Sequence, residues 1–307
     1  MIFFIKFYAF FAYLCYTLSM ETLILQFFES MRSPVGTFFA AALSLFGEAL
    51  FLVVLICLVY WLVDKKLGER LVVTSFSSLV CNSFLKGVIA RPRPYQAGVV
   101  SRVELDNPLI STMDLNPLES FPSGHSQMGS GLFSTCALYL RKTWAWILAP
   151  LLILGVMWSR MYLGVHYLTD TLCGAALGVI FAVFWDFIYR KAENKKYLIL
   201  LILSGISILL TLISPTKAMY EFTGCTIAAA IALPIENRSV QFENAKGVKN
   251  RILRALVGLA CVGVVFGAFS FLPFAFLDLY IWKFVKYFAT VLVGALLVPF
   301  LFVKLKI

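Results

Sequence analysis

Nine runs of apolar residues, broken by short polar connections, organise the chain. They extend roughly over Gly36–Leu62, Leu71–Ala90, Ser123–Leu140, Trp144–Ser159, Leu168–Tyr189, Tyr197–Ile213, Ala218–Ile235, Ile252–Leu272 and Leu279–Val303. Lipid cannot satisfy backbone hydrogen bonds, so runs of this length predict transmembrane helices, and no ten-residue alternation suggests a barrel. Trp144–Ser159 is short against the usual span of about 20 residues, so it is predicted to continue through Met161 or to meet a thinned membrane. Ahead of the first run, Ile2–Leu18 reads as a further embedded helix or a signal segment, with Lys6 in front and no convincing small-residue cleavage site behind. Between Met20 and Arg32, apolar Leu23, Phe27, Phe28 and Met31 interleave with Glu21, Gln26, Glu29 and Arg32, the pattern of a helix lying along the interface. The predicted fold class is all-α, a polytopic transmembrane helical bundle of about nine spans plus an N-terminal hydrophobic helix.

Composition agrees. Of 307 residues 61% are hydrophobic and 14% charged, where a soluble domain carries about a quarter charged residues, and mean hydropathy is +0.89. The net charge of +10 comes from basic residues scattered in short clusters, with no soluble module to present them to nucleic acid. Alternating the nine spans places 16 of the 26 basic residues on one side, among them Lys65, Lys66, Arg70, Arg190, Lys196 and Arg254. The positive-inside bias makes that side cytoplasmic. Lys86, Arg91, Arg93, Arg102 and Arg160 then face the extracytoplasmic side. The seven cysteines form no C-x-x-C pair and read as small hydrophobes.

Only two histidines occur, and both lie among residues suited to phosphate. Lys86 and Arg93 stand about two helical turns apart at the end of one span, and Pro92 and Pro94 force the chain out of the helix there. Taken alone, Arg91 and Arg93 could equally be headgroup anchors. Pro122-Ser123-Gly124-His125 opens another span, where Ser120 or Ser123 could cap, unpaired N–H groups attract an anion, and Gly124 admits phosphate close to the backbone. Arg160 offers a fork of donors six residues before His166, and Asp170 follows four residues after it. If the helix has begun by His166, the carboxylate shares its face and can set the imidazole tautomer; a purely structural His–Asp contact between helices is the alternative.

Together, Lys86 with Arg93-Pro94, Pro122-Ser123-Gly124-His125, and Ser159-Arg160 with His166 and Asp170 resemble the three-part signature of the type 2 phosphatidic acid phosphatase superfamily. The resemblance covers about Lys86 to Asp170 and fills every signature position. It implies that His166 attacks phosphorus to form a phosphohistidine, that Asp170 orients it and that His125 protonates the leaving oxygen. Lys86, Arg93, Ser123, Gly124 and Arg160 would bind the phosphate, with no metal and no cofactor. Glu104, Asp106, Asp114 and Glu119 lack metal-ligand spacing and read as an acidic loop over the site. The expected organisation is an N-terminal segment at 1–35, a phosphatase core at 36–190 and a four-span extension at 191–307. Expected partners are a lipid phosphate or polyprenyl diphosphate substrate and membrane lipids, without nucleic acid. Nine spans also resemble the glucose-6-phosphatase branch of the superfamily, which uses a soluble sugar phosphate, and a non-enzymatic lipid-phosphate transporter or scaffold is a third reading. Past Asp170, Glu221, Glu236 and Asp278 are expected at the interface, and Asp186 within reach of Arg190.

Overall fold

The structure, a computed structural model, describes residues 19–107, 110–112, 115–271 and 279–307. The readings of Ile2–Leu18, Asp114 and Asp278 fall outside them. Helices dominate: α1 at 19–30, α2 (Pro34–Ser44), α3 (Ala49–Leu58), α4 (Lys65–Ile89), α5 (Gly124–Leu140), α6 (Thr143–Tyr162), α7 (Leu168–Lys191), α8 (Lys196–Ile213), α9 (Lys217–Ile235), α10 (Val248–Phe271), α11 (Tyr280–Leu292) and α12 (Val298–Leu305). The long α4–α5 connection adds one two-residue antiparallel rung, Asp106–Asn107 against Ile110–Ser111. The chain is an integral, multi-pass membrane protein: among the described residues seven helices have the length and apolarity to cross a bilayer, or eight with the bent pair Pro34–Gly47 and Leu50–Val63. The predicted Ser123–Leu140 span is the 17-residue α5.

The first predicted run is not one straight helix. A bend of 58° separates its halves, and Glu48 at the break is extended, with φ −76° and ψ 129°. Its backbone is re-satisfied locally, since Glu48 N–H donates to Leu45 O (3.0 Å) and Leu52 N–H to Glu48 O (3.0 Å). Those bonds let a break persist within an apolar run. Continuous apolarity on both flanks hid it, because hydropathy reports burial and not backbone direction.

Capping chemistry sets the other boundaries. Asp64 Oδ1 accepts from Leu67 N–H (3.0 Å) to begin α4, and Ala90, left-handed at φ 47°, ends it by returning its N–H to Lys86 O (3.0 Å). Ser123 caps α5. Within the bundle α5 packs most extensively against α7 and is flanked by α4 and α6, while α9 links α4 to α8 and α11. The α5–α7 contact is close enough that a Cβ on Gly174 would fall 2.3 Å from Ser123 O.

The end of the bundle where α4 begins and α7 ends is tied by buried polar pairs. Glu236, at the end of α9, is fully buried and bonded to Lys65 Nζ at 2.7 Å, so it is not isolated there: a basic partner from α4 makes burial tolerable. Tyr189 Oη (2.8 Å) and Lys196 Nζ (3.0 Å) reach Glu69 Oε1. Asp186 pairs with Arg190 as anticipated, and also with Arg70 at 3.0 Å.

Because backbone occupies the space a methyl would need, Gly174→Ala is expected to destabilise the protein by about 1–3 kcal/mol. Thermal unfolding in detergent measures this, and an unchanged midpoint would refute the close α5–α7 approach.

Candidate active site

Four chain segments meet at the opposite end. Lys86 lies in the last turn of α4, after which the chain leaves the helix through Arg91 and Arg93. Arg93 is 2% exposed and fixed by the long connection: its N–H donates to Pro117 O (2.8 Å) and its Nε to Asn116 O (2.8 Å). Its Nη1 donates to Val165 O at 2.9 Å and lies 3.3 Å from His166 Nε2. A guanidinium only donates, so Nε2 must be the acceptor and the neutral ring carries its proton on Nδ1. Nε2 therefore holds its lone pair toward the Arg93 guanidinium.

His166 precedes α7 by two residues, so the idea that it shares a helical face with Asp170 is corrected. The two meet because Asp170 sits in the first turn and folds back toward the N-terminus, where its Oδ2 accepts the Tyr167 N–H at 2.8 Å. His166 Nδ1 lies 3.6 Å from that same Oδ2 and has no hydrogen bond. The carboxylate is held instead by Ser120 Oγ (2.5 Å) and Arg91 Nη1 (2.7 Å). Arg91 in turn stacks over the Tyr167 ring and pairs with buried Glu21 of α1 at 2.8 Å. Glu21 Oε1 also accepts from the Thr169 N–H (2.8 Å), so α1 is anchored to the start of α7.

Arg160 ends α6 fully buried. Its Nη1 donates to Ser44 Oγ, while Nε and Nη2 have no partner. Ser123 Oγ accepts the Ser126 N–H (3.4 Å), and Ser123 N–H donates to Asp170 O (2.9 Å), which joins the N-terminus of α5 to that of α7. Lys86 Nζ lies over that helix start, 3.6 Å from where a Cβ on Gly124 would be. His125 Nε2 is 2.9 Å from Glu48 Oε1. All eight sequence-predicted site residues thus share one end of the bundle.

The electrostatics follow from burial. Removal from water pushes the His166 imidazole well below its ordinary value, and neighbouring Arg93, Arg160 and Lys86 push in the same direction. The ring is neutral at neutral pH and its lone pair available. Burial also lowers Arg93, although Glu119 and Asp170 oppose the effect. Glu119, one of the acidic loop residues, thus faces the cations. A neutral imidazole beside three cations and the N-terminus of a helix can accept a tetrahedral oxyanion and attack it.

Sequence reasoning passed over several supporting groups. Arg91 read as a headgroup anchor, yet it neutralises Asp170. Glu48 and Ser44 lie in an apolar run with no motif around them. Asn82 and Gln127 tie α4 to α5 beneath the site, with Asn82 Nδ2 donating to Gln127 Oε1 at 2.8 Å and Gln127 Nε2 to Ser78 Oγ at 2.7 Å. The available signal was their polarity inside otherwise apolar spans, which in lipid marks a packed or functional face.

Residues 69–196 match the PAP2 superfamily, and residues 220–307 match the PAP2 superfamily phosphatase, transmembrane extension. The chain is 27% identical to the lipid A 4'-phosphatase of Bacteroides thetaiotaomicron over 188 residues, covering 57% of this chain and 79% of that protein. It is 32% identical to the undecaprenyl-diphosphatase of Sulfolobus acidocaldarius over 115 residues, covering 37% and 51%. Among solved structures, the PAP2 type phosphatidylglycerolphosphate phosphatase from Bacillus subtilis superposes with a TM-score of 0.47 at 24% identity, covering 57% of this chain and 87% of that one.

Two unpartnered guanidinium nitrogens in a buried pocket call for an anion. Vanadate is expected to bind the wild type, and Arg160→Ala to weaken that binding at least about tenfold, the loss from one or two charge-assisted hydrogen bonds. Calorimetric titration measures it, and equal affinities would remove Arg160 from the oxyanion site.

Proposed function

The chain belongs to the PAP2 superfamily, and we propose that it is an integral membrane lipid phosphate phosphatase working through a phosphohistidine, with no metal required. The observation that carries this reading is the His166 Nε2 lone pair facing Arg93 in a pocket where Arg160 keeps two donors free. In the first step Nε2 forms a bond to phosphorus while the ester P–O bond breaks, and His125 gives its proton to the departing oxygen. In the second, water attacks phosphorus, the N–P bond returns its electron pair to His166, and a water proton restores His125. Charge on the transferring group spreads over its three equatorial oxygens, which Lys86, Arg93, Arg160 and the Ser123–Gly124 helix start surround. Asp170 acts through His166: it faces the Nδ1 proton and balances the positive charge that grows on the ring as Nε2 bonds phosphorus.

Placement supports an amphiphilic substrate. The site sits at the end of a helical bundle, where a phosphate can stand at headgroup depth while its chains remain in lipid. Counting α5 and the bent first pair with the seven longer helices makes nine crossings. With that count, the basic excess at the opposite end supports an extracytoplasmic site. The named activities of the relatives, lipid A 4'-phosphatase and undecaprenyl-diphosphatase, support a phosphate on a lipid and not on a free sugar. The residues described would hold the phosphate and leave the tail to the surrounding lipid.

Phosphate release from short-chain lipid phosphates, a polyprenyl diphosphate and glucose 6-phosphate, by wild type and His166→Ala in detergent, tests the reading. Turnover of the lipids and its disappearance in His166→Ala are expected; efficient glucose 6-phosphate hydrolysis, or activity surviving the substitution, would overturn it. His125→Ala is expected to lower kcat by about 10²–10⁴ for an alkyl phosphate and far less for an activated aryl phosphate. Because the free His166 is held below the usual imidazole value, its neutral form persists as pH falls through about 6.5. The acid limb of kcat/KM assigned to it should accordingly lie below that pH; a limb at or above it would contradict the buried, neutral nucleophile.

A further inference from the structure

The break in the first span delivers a carboxylate to the residue assigned as the acid. Glu48 stands alone in extended conformation between the turn Leu45–Gly47 and α3. Its Oε1 lies 2.9 Å from His125 Nε2, with the two side chains 21% and 17% exposed. The approach depends on glycine: a Cβ on Gly47 would fall 2.5 Å from His125 Cβ and 2.6 Å from its Cα. One helical turn earlier, Ser44 accepts from Arg160. The 58° bend thus supplies two polar contacts to the site, from residues that precede the 69–196 superfamily match. A charged residue inside an apolar run is costly unless a partner or function keeps it there.

Resting on the phosphatase reading, we propose that Glu48 is a positioning residue that holds His125 oriented toward the leaving oxygen and favours a proton on it, and thereby fits this site to phosphomonoesters over diphosphates. With one imidazole nitrogen donating to Glu48, the other is left to donate to the leaving group. An alkoxide leaves a lipid monoester only when that proton arrives with it. A diphosphate releases a lipid monophosphate, whose second pKa is about 6; it departs without a proton, as an anion. For that leaving group the imidazolium adds little, and a fixed carboxylate close behind the acid repels it. The same group therefore aids one substrate class and opposes the other.

Glu48→Gln, which keeps the shape and removes the charge, is compared with wild type and His166→Ala on a dioctanoyl lipid monophosphate, an aryl phosphate and farnesyl diphosphate. The expected result is a fall in kcat of at least about tenfold on the lipid monoester, a change of under about threefold on the aryl phosphate, and unchanged or faster diphosphate turnover. A similar loss on all three would reduce Glu48 to scaffold and overturn the proposal while leaving the phosphatase reading intact. Should Glu48→Gln elute aggregated, the wild type alone decides: kcat/KM for the monoester should exceed that for the diphosphate by about tenfold or more, and the reverse order refutes the proposal. Activity in His166→Ala would instead bring down the phosphatase reading, and this proposal with it.

Discussion

Three cations, Lys86, Arg93 and Arg160, gather with the His166 imidazole at one end of the bundle, and that arrangement has to be held against their mutual repulsion. The protein does so by anchoring each from a different element. Backbone carbonyls of the long connection grip Arg93, a serine of the broken first span holds Arg160, and Lys86 extends over a helix N-terminus. Carboxylates compensate the charge only in part. Asp170 is already claimed by Arg91 and Ser120, and Glu48 by His125. In the proposed reaction that positive charge is what a phosphate group would meet, so the site would be organised before substrate arrives and little rearrangement required as charge develops on phosphorus.

The same constraint explains why the supporting contacts converge on helix ends. A helix interior satisfies its own backbone, but the first turn of α5 and of α7 leaves N–H groups free, and in a bilayer these must find partners or face an anion. Asp170 O takes the Ser123 N–H and Asp170 Oδ2 takes the Tyr167 N–H. One residue thereby fixes the start of two helices and lies beside His166. Arg91 then links this point through Glu21 to α1, which lies ahead of the superfamily match. What resembles a surface anchor in the sequence is, in three dimensions, the counter-charge that holds the Asp170 carboxylate in place.

Much of this was legible before any coordinates. Spans and their order follow from hydropathy because lipid imposes helices, and Lys86, Arg93, Ser123, Gly124, His125, Arg160, His166 and Asp170 follow from motif spacing. The contacts that depend on non-local geometry were not legible. Nothing near Glu48 in the chain announces a 58° bend, since the apolar residues on both sides would equally suit a straight helix. His166 and Asp170 were paired for the wrong reason: an i, i+4 spacing suggests one helical face, whereas α7 begins at Leu168 and the contact arises from a side chain folding back over a helix start. The pairing of Glu236 is not legible because its partner, Lys65, is 171 residues away in the chain.

The two ends of the bundle solve opposite electrostatic problems with the same residue types. At the end away from the site, Lys65 with Glu236 and Lys196 with Glu69 are closed pairs, each drawing together the α4–α7 core and the helices that follow it. Closed buried pairs add little net stability, but removing one partner costs about 3–5 kcal/mol, so they specify which helices may meet. At the site the cations outnumber the carboxylates free to pair with them, and two donors of Arg160 are left open. A bundle held in register by buried ion pairs at one end can keep two buried donors of Arg160 unpaired at the other, where an anion would supply their missing partner. Those open donors, set beside His166 and Arg93, are what suits that end of the bundle to the proposed chemistry.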